Sequence, residues 1–227
     1  MRDIVELNVS QVRIYPTDCL PYPEIHANVI LIQDLLKFKN VQTDGLAHNF
    51  TEGVYLSDPR PILITLLTID PRKVALRVRG TSADADAIYA LLWKTFTMVG
   101  GRPLQDAPLV KTEESFCVAT LDIDFAELIA PSLSEFLRND GRPKLNTAAG
   151  EVKAIDFKAL SFNLRYTPKS DILEQTGIAL SPKTLVLEPR AGTTMQERRF
   201  YASSPTDTST HLALLAGLEQ SLIKARS

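Results

Sequence analysis

Hydrophobic and polar positions alternate over several short stretches of the chain, which is the period-two signature of half-buried strands. In Val5 to Ile14, Val5, Leu7 and Val9 fall on one side, and Asn8, Ser10 and Val12 on the other. Lys73 to Gly80 alternates cleanly, with Val74, Leu76 and Val78 opposite Ala75, Arg77 and Arg79. Ile62 to Thr68 is apolar and β-branched and ends at an Asp70-Pro71 turn. Phe116 to Ile123, Ala154 to Tyr166, Leu185 to Glu188 and Arg198 to Ser203 complete the expected strands.

Helical spacing appears elsewhere. Ile88, Leu91, Leu92, Phe96 and Val99 line one stripe behind a cap at Ser82, and Gly100-Gly101 ends it. Phe125, Leu128 and Ile129 open a second helix that Pro131 must kink or restart. A third starts near Thr208 and buries Leu212, Leu215, Leu218 and Leu222. Glu24 to Leu36 reads as a weak helix, although Val29 to Ile32 fits a strand equally well.

The order of these elements repeats. Pro59 and Pro182 stand 123 positions apart, and at that offset Ile62-Leu63-Ile64 falls on Leu185-Val186-Leu187, Asp84 on Asp207, and Ala90-Leu91-Leu92 on Ala213-Leu214-Leu215. The pattern predicts an α+β fold of two tandem strand-helix-strands-helix units, residues 1–105 and 106–227, sharing one curved antiparallel sheet with its helices on the convex face. Alternation then assigns the open face. Asn8, Ser10 and Val12, Arg77 and Arg79, and Phe157, Ala159, Ser161, Asn163 and Arg165 point away from the helices. Such a surface is too apolar for a plain solvated face and too basic for a second core.

Composition narrows the chemistry. The 227 residues carry a net charge of −2, 44% hydrophobic and 23% charged residues. That balance argues against holding nucleic acid by bulk positive charge alone. Two cysteines make no disulfide framework, and three scattered histidines have no metal-ligand spacing. No nucleophile elbow, phosphate-binding loop or dinucleotide fingerprint occurs, so neither an enzyme nor a cofactor or metal site is expected. No signal pattern and no membrane-length apolar run is visible, so a cytosolic or nuclear protein is expected, not a secreted or membrane one. Trp93 and Tyr89 on a helix read as core.

The motifs, in order, resemble the TATA-box-binding protein family. Val5-Glu6-Leu7-Asn8-Val9 is similar to its opening strand, with Asn8 on a groove-reading asparagine. Phe50-Thr51-Glu52-Gly53-Val54-Tyr55, leading to Asp58-Pro59-Arg60, resembles its phenylalanine-led strand and turn, and Phe157 through Lys169 repeats that pattern. Cys117 to Ile123 resembles the first strand of its second repeat, although Phe116 stands where a second asparagine is expected. The resemblance implies a promoter factor that binds A·T-rich duplex DNA in the minor groove and bends it by inserting apolar side chains. It implies groove contacts from Asn8, Ser10, Val12, Phe50, Leu66, Val118, Thr120, Phe157, Ser161 and Asn163, and from Arg77, Arg79 and Arg165. Its implied partners are B-type general transcription factors and RNA polymerase, in the nucleus or at a site of viral transcription. Two other readings stay open: a scaffold of this fold that has lost independent DNA binding, and a small-molecule binder with a helix-gripping sheet.

Overall fold

The computed structural model describes residues 3–16, 26–100, 108–123, 159–164, 183–194 and 197–226. These form one open, curved antiparallel sheet of nine strands, with three helices among the described residues. The strands are β1 (Asp3–Ile14), β2 (Asn40–Asp44), β3 (Ala47–Tyr55), β4 (Ile62–Ile69), β5 (Lys73–Arg79), β6 (Val110–Thr120), β7 (Leu160–Leu164), β8 (Lys183–Pro189) and β9 (Arg199–Ser204). Their order across the sheet is β2-β3-β4-β5-β1-β6-β9-β8-β7. The helices are α1 (His26–Leu35), α2 (Ser82–Gly100) and α3 (Thr208–Arg226). The helix expected after Phe125 lies outside the described residues, as do Phe157 and Arg165.

All three helices cover the same face of the sheet. Ile32 and Leu36 with Ile88, Leu92 and Phe96 of α2 pack on Val9, Ile64, Leu67, Val74, Leu76 and Val78. On the other side of the centre, Leu212, Leu215, Leu218 and Leu222 of α3 pack on Cys117, Ala119, Leu187, Phe200 and Ala202. Between the two apolar clusters the central strands bury polar groups instead: Gln11, Ser115 and Ser204, with His211 above them. Ser115 Oγ and His211 Nδ1 lie 2.7 Å apart.

Each long helix has a hydrogen-bonded start. In α2, Thr81 N donates to Asp84 Oδ2 at 2.7 Å and Asp84 N donates to Thr81 Oγ1 at 3.2 Å, a reciprocal cap. Thr81 is thus the capping residue, one position before Ser82. Gly80 must precede it, because a Cβ there would meet Asp84 Oδ2 at 2.4 Å. In α3 the cap is Asp207, whose Oδ1 accepts from Thr210 N at 3.0 Å. Hydrogen bonds from Ser209 and Thr210 hold its carboxyl well below the usual range. Asp84 and Asp207 therefore play different parts, and the uniform 123-residue offset does not extend into the helices. The first helical residues, Ser82 and Thr208, are 126 apart and touch: Ser82 N donates to Thr208 Oγ1 at 3.0 Å, and Thr208 N to Ser82 Oγ at 2.8 Å.

Two irregularities reset the alternation. A register shift between Ile4 and Glu6 takes Val5 out of the buried row, leaving it half exposed. A second, between Ile64 and Leu66, turns Leu66 to the open face and keeps Leu67 in the core. In β3, Gly53 lets the Phe38 ring approach the backbone: a Cβ would meet Phe38 Cε1 at 2.4 Å and the Leu36 carbonyl oxygen at 3.0 Å. Gly53→Ala is expected to destabilise the fold by about 1–3 kcal/mol through overpacking. A urea midpoint equal to that of the parent chain would show that the contact relaxes freely.

Candidate nucleic-acid interface

The face away from the helices is built by the register of the central strands. One row runs across seven of them, through Leu63, Arg79, Asn8, Phe116, Ser203, Val186 and Ser161. Beside it, Leu66, Arg77, Ser10 and Glu114 form a second row, and Glu6, Val118, Tyr201 and Glu188 a third. Alternation carries every one of these side chains to the same surface.

Asn8, Ser10 and Val12 thus sit on the open face opposite Arg79, Arg77 and Ala75. Arg77 and Arg79 are exposed, with no ion pair among the described residues. Asn8 Nδ2 donates to Glu6 Oε1 at 3.1 Å, so its amide is already engaged in the free protein. Leu66 flanks Arg77, and Leu63 beside it is 44% exposed. At the other end Ser161 and Asn163 are exposed, with Asn163 Oδ1 accepting from Thr184 Oγ1 at 3.2 Å. Thr120 lies opposite Arg199 at the rim. Val118 is on this face but only 5% exposed, so it offers little surface to a partner.

Phe50, for which the resemblance implies a groove contact, is instead fully buried, pairing with Val41 and Leu67, its ring centroid 5.3 Å from that of Phe38. Its partner Leu67 is a core residue, and partners directly opposite in a sheet share a face. It cannot act as a wedge without leaving the core.

Two features went unread from the sequence. Phe116 and Tyr201 form a stacked pair on the open face, ring centroids 6.5 Å apart. Glu6, Glu114 and Glu188 share that face with Arg77 and Arg79. The Tyr201 hydroxyl senses both groups: burial pushes its pKa up, Glu114 and Glu188 push the same way, and Arg77 opposes them. The surface is therefore divided, basic along β5 and acidic through Glu6, Glu114 and Glu188 on β1, β6 and β8, with Arg199 of β9 at the rim. All of this follows from strand parity once the register is known.

Other chemistry is sparse. Among the described residues no group of three or more His, Cys, Asp or Glu side chains is placed to hold a metal ion. Cys117 is buried, which pushes its thiol up to about 11 and suppresses the nucleophilic thiolate. No helix among them is long and apolar enough to cross a membrane.

No protein-family model matches the chain, and no curated protein matches it. Among solved structures it is similar to Methanococcus jannaschii TBP, at 13% identity and a TM-score of 0.43, over 98% of each chain. At that score the likeness assigns no role to any residue.

Proposed function

We propose that the open face binds duplex DNA from the minor groove, with the β4-β5-β1 portion making the principal contacts. One observation carries the reading: Arg77 and Arg79, exposed and without an ion pair among the described residues, flank a strip of small polar and apolar side chains formed by Asn8, Ser10, Val12 and Leu66. Guanidinium groups suit phosphate oxygens, and amide and hydroxyl groups suit the acceptors on the groove floor. The sequence resemblance extends this role to transcription initiation, beside B-type general transcription factors and RNA polymerase, in the nucleus.

The test is fluorescence anisotropy on A·T-rich and G·C-rich duplexes over a range of salt concentrations. Binding is expected to favour the A·T-rich duplex and to weaken with salt. Changing Arg77 and Arg79 together to alanine is expected to reduce the salt slope by about one per lost phosphate contact. A slope unchanged by both substitutions would remove these arginines from the interface.

A second reading is favoured by Glu6, Glu114 and Glu188. Carboxylates repel phosphates, and a divided face matches a protein partner of complementary charge pattern. Phe50, locked in the core, also deprives the first half of its expected wedge. On that reading the chain is an interaction scaffold, and wild-type protein shows no salt-dependent binding to either duplex.

A further inference from the structure

On the helix side of the sheet, opposite the proposed DNA surface, the end of β1 and one stripe of α2 enclose a cleft of about 420 Å³. Its walls come from Arg13, Tyr15, Asp86, Tyr89, Trp93 and Lys94. The α2 contributors recur at three- and four-residue spacing, so they form one continuous face of the helix.

The cleft is held in shape by its own contacts. Tyr15 and Trp93 stack with ring centroids 4.9 Å apart and an interplanar angle of 20°. The Tyr89 hydroxyl lies 2.9 Å from the carbonyl oxygens of both Gln11 and Val74, and the Arg13 guanidinium rests 3.9 Å above the Tyr89 ring. Arg13 is joined to Asp86 at 2.5 Å, and Lys111 bridges Asp86 at 3.1 Å and Glu113 at 3.7 Å. Burial works against ionisation of Asp86, but hydrogen bonds from Gln11 and Lys111 and the nearby charges hold its carboxyl below the usual range. Arg13 and Lys111 are thus balanced by Asp86 and Glu113. Lys94 is left as the uncompensated charge, exposed at the rim with no ion pair among the described residues.

We propose that this cleft binds a small planar aromatic anion, its ring against the accessible side of Trp93, which the buried Tyr15 ring backs, and its acid group on Lys94. Small-molecule sites pair a mostly aromatic lining with a few placed polar groups and span roughly 300–1,000 Å³. A cleft of about 420 Å³ suits one or two fused rings. Trp93, held in place by its stack on Tyr15, supplies apolar area at little ordering cost, and the surplus cation sets the sign of the ligand. The site lies away from the open face, so its test stands whether or not the chain binds DNA.

Trp93 is the chain's single tryptophan, so its indole N–H gives one identifiable NMR signal that reports on the cleft. The probes are 2-naphthoate, its neutral analogue 2-naphthalenemethanol and the cationic 2-naphthylmethylamine. Titration with 2-naphthoate is expected to shift the signal saturably, with binding about fivefold tighter than for the neutral probe, as one partly exposed ion pair allows. The cationic probe is expected to bind weakest. Lys94→Glu lies at an exposed position and is expected to keep the parent melting temperature while reversing the order of the charged probes. A shift that never saturates, equal binding of the anionic and neutral probes, or an order unchanged in Lys94→Glu would each overturn the proposal.

Discussion

Phe50→Ala is expected to cost about 3–5 kcal/mol of stability, the range for emptying a buried phenylalanine site. The ring is fully buried between Val41, Leu67 and Phe38, so its removal leaves a cavity lined by β2, β4 and the segment after α1. Urea denaturation of parent and variant measures the loss as a lower midpoint at similar slope. A loss below about 1 kcal/mol would mean that the site is not a packed core position. Any DNA bending by the parent chain should survive in the folded fraction of the variant, since this side chain is not presented to the groove.

Acid is expected to have the second large effect. His211 is 1% exposed, with Nδ1 on the Ser115 hydroxyl and Nε2 without a hydrogen-bond partner among the described residues. Burial of this ring lowers its pKa from 6.5 to about 4. Between those values the unfolded chain binds the proton and the folded chain does not. Stability is therefore complete above about pH 6.5 and falls as the pH drops towards 4, by on the order of 3 kcal/mol. Chemical denaturation at a series of pH values tests this, with His211→Gln as the control that flattens the profile in that window. Asp207, whose carboxyl is held low by Ser209 and Thr210, loses its contribution only at lower pH, so the two windows separate. A parent profile flat from pH 6.5 to 4 would show that the imidazole charges without cost.

What the sequence disclosed depended on how sharply each strand separates its two faces. β5 alternates without a break, so the outward placement of Arg77 and Arg79 was legible, as was that of Asn8, Ser10 and Val12 on β1. Phe50 was not legible, because β3 carries an irregularity at Glu52, whose φ is 57°, and only pairing with Leu67 decides which way the ring turns. The apolar run of β4 hides its bulge at Thr65, since every register of such a run looks equally buried. β2 escaped notice because Val41 is its single apolar residue, as befits a short edge strand. The acidic half of the open face lay in plain view as Glu6, Glu114 and Glu188. Their convergence needed the β1-β6-β9-β8 order, which local patterning does not reveal.

The mutual bonds between Ser82 and Thr208 bear on cooperativity. The opening amide of each helix is satisfied by the hydroxyl of the other, so neither terminus can fray without orphaning a donor in its neighbour. β1 and β6 meanwhile pair along nearly their whole length, closing the middle of the sheet. Severing the chain near residue 105 would strip each fragment of its helix anchor and expose a long unpaired strand edge. Loosening that starts in one half is thereby transmitted to the other, and the molecule gains or loses its structure as a single thermodynamic unit.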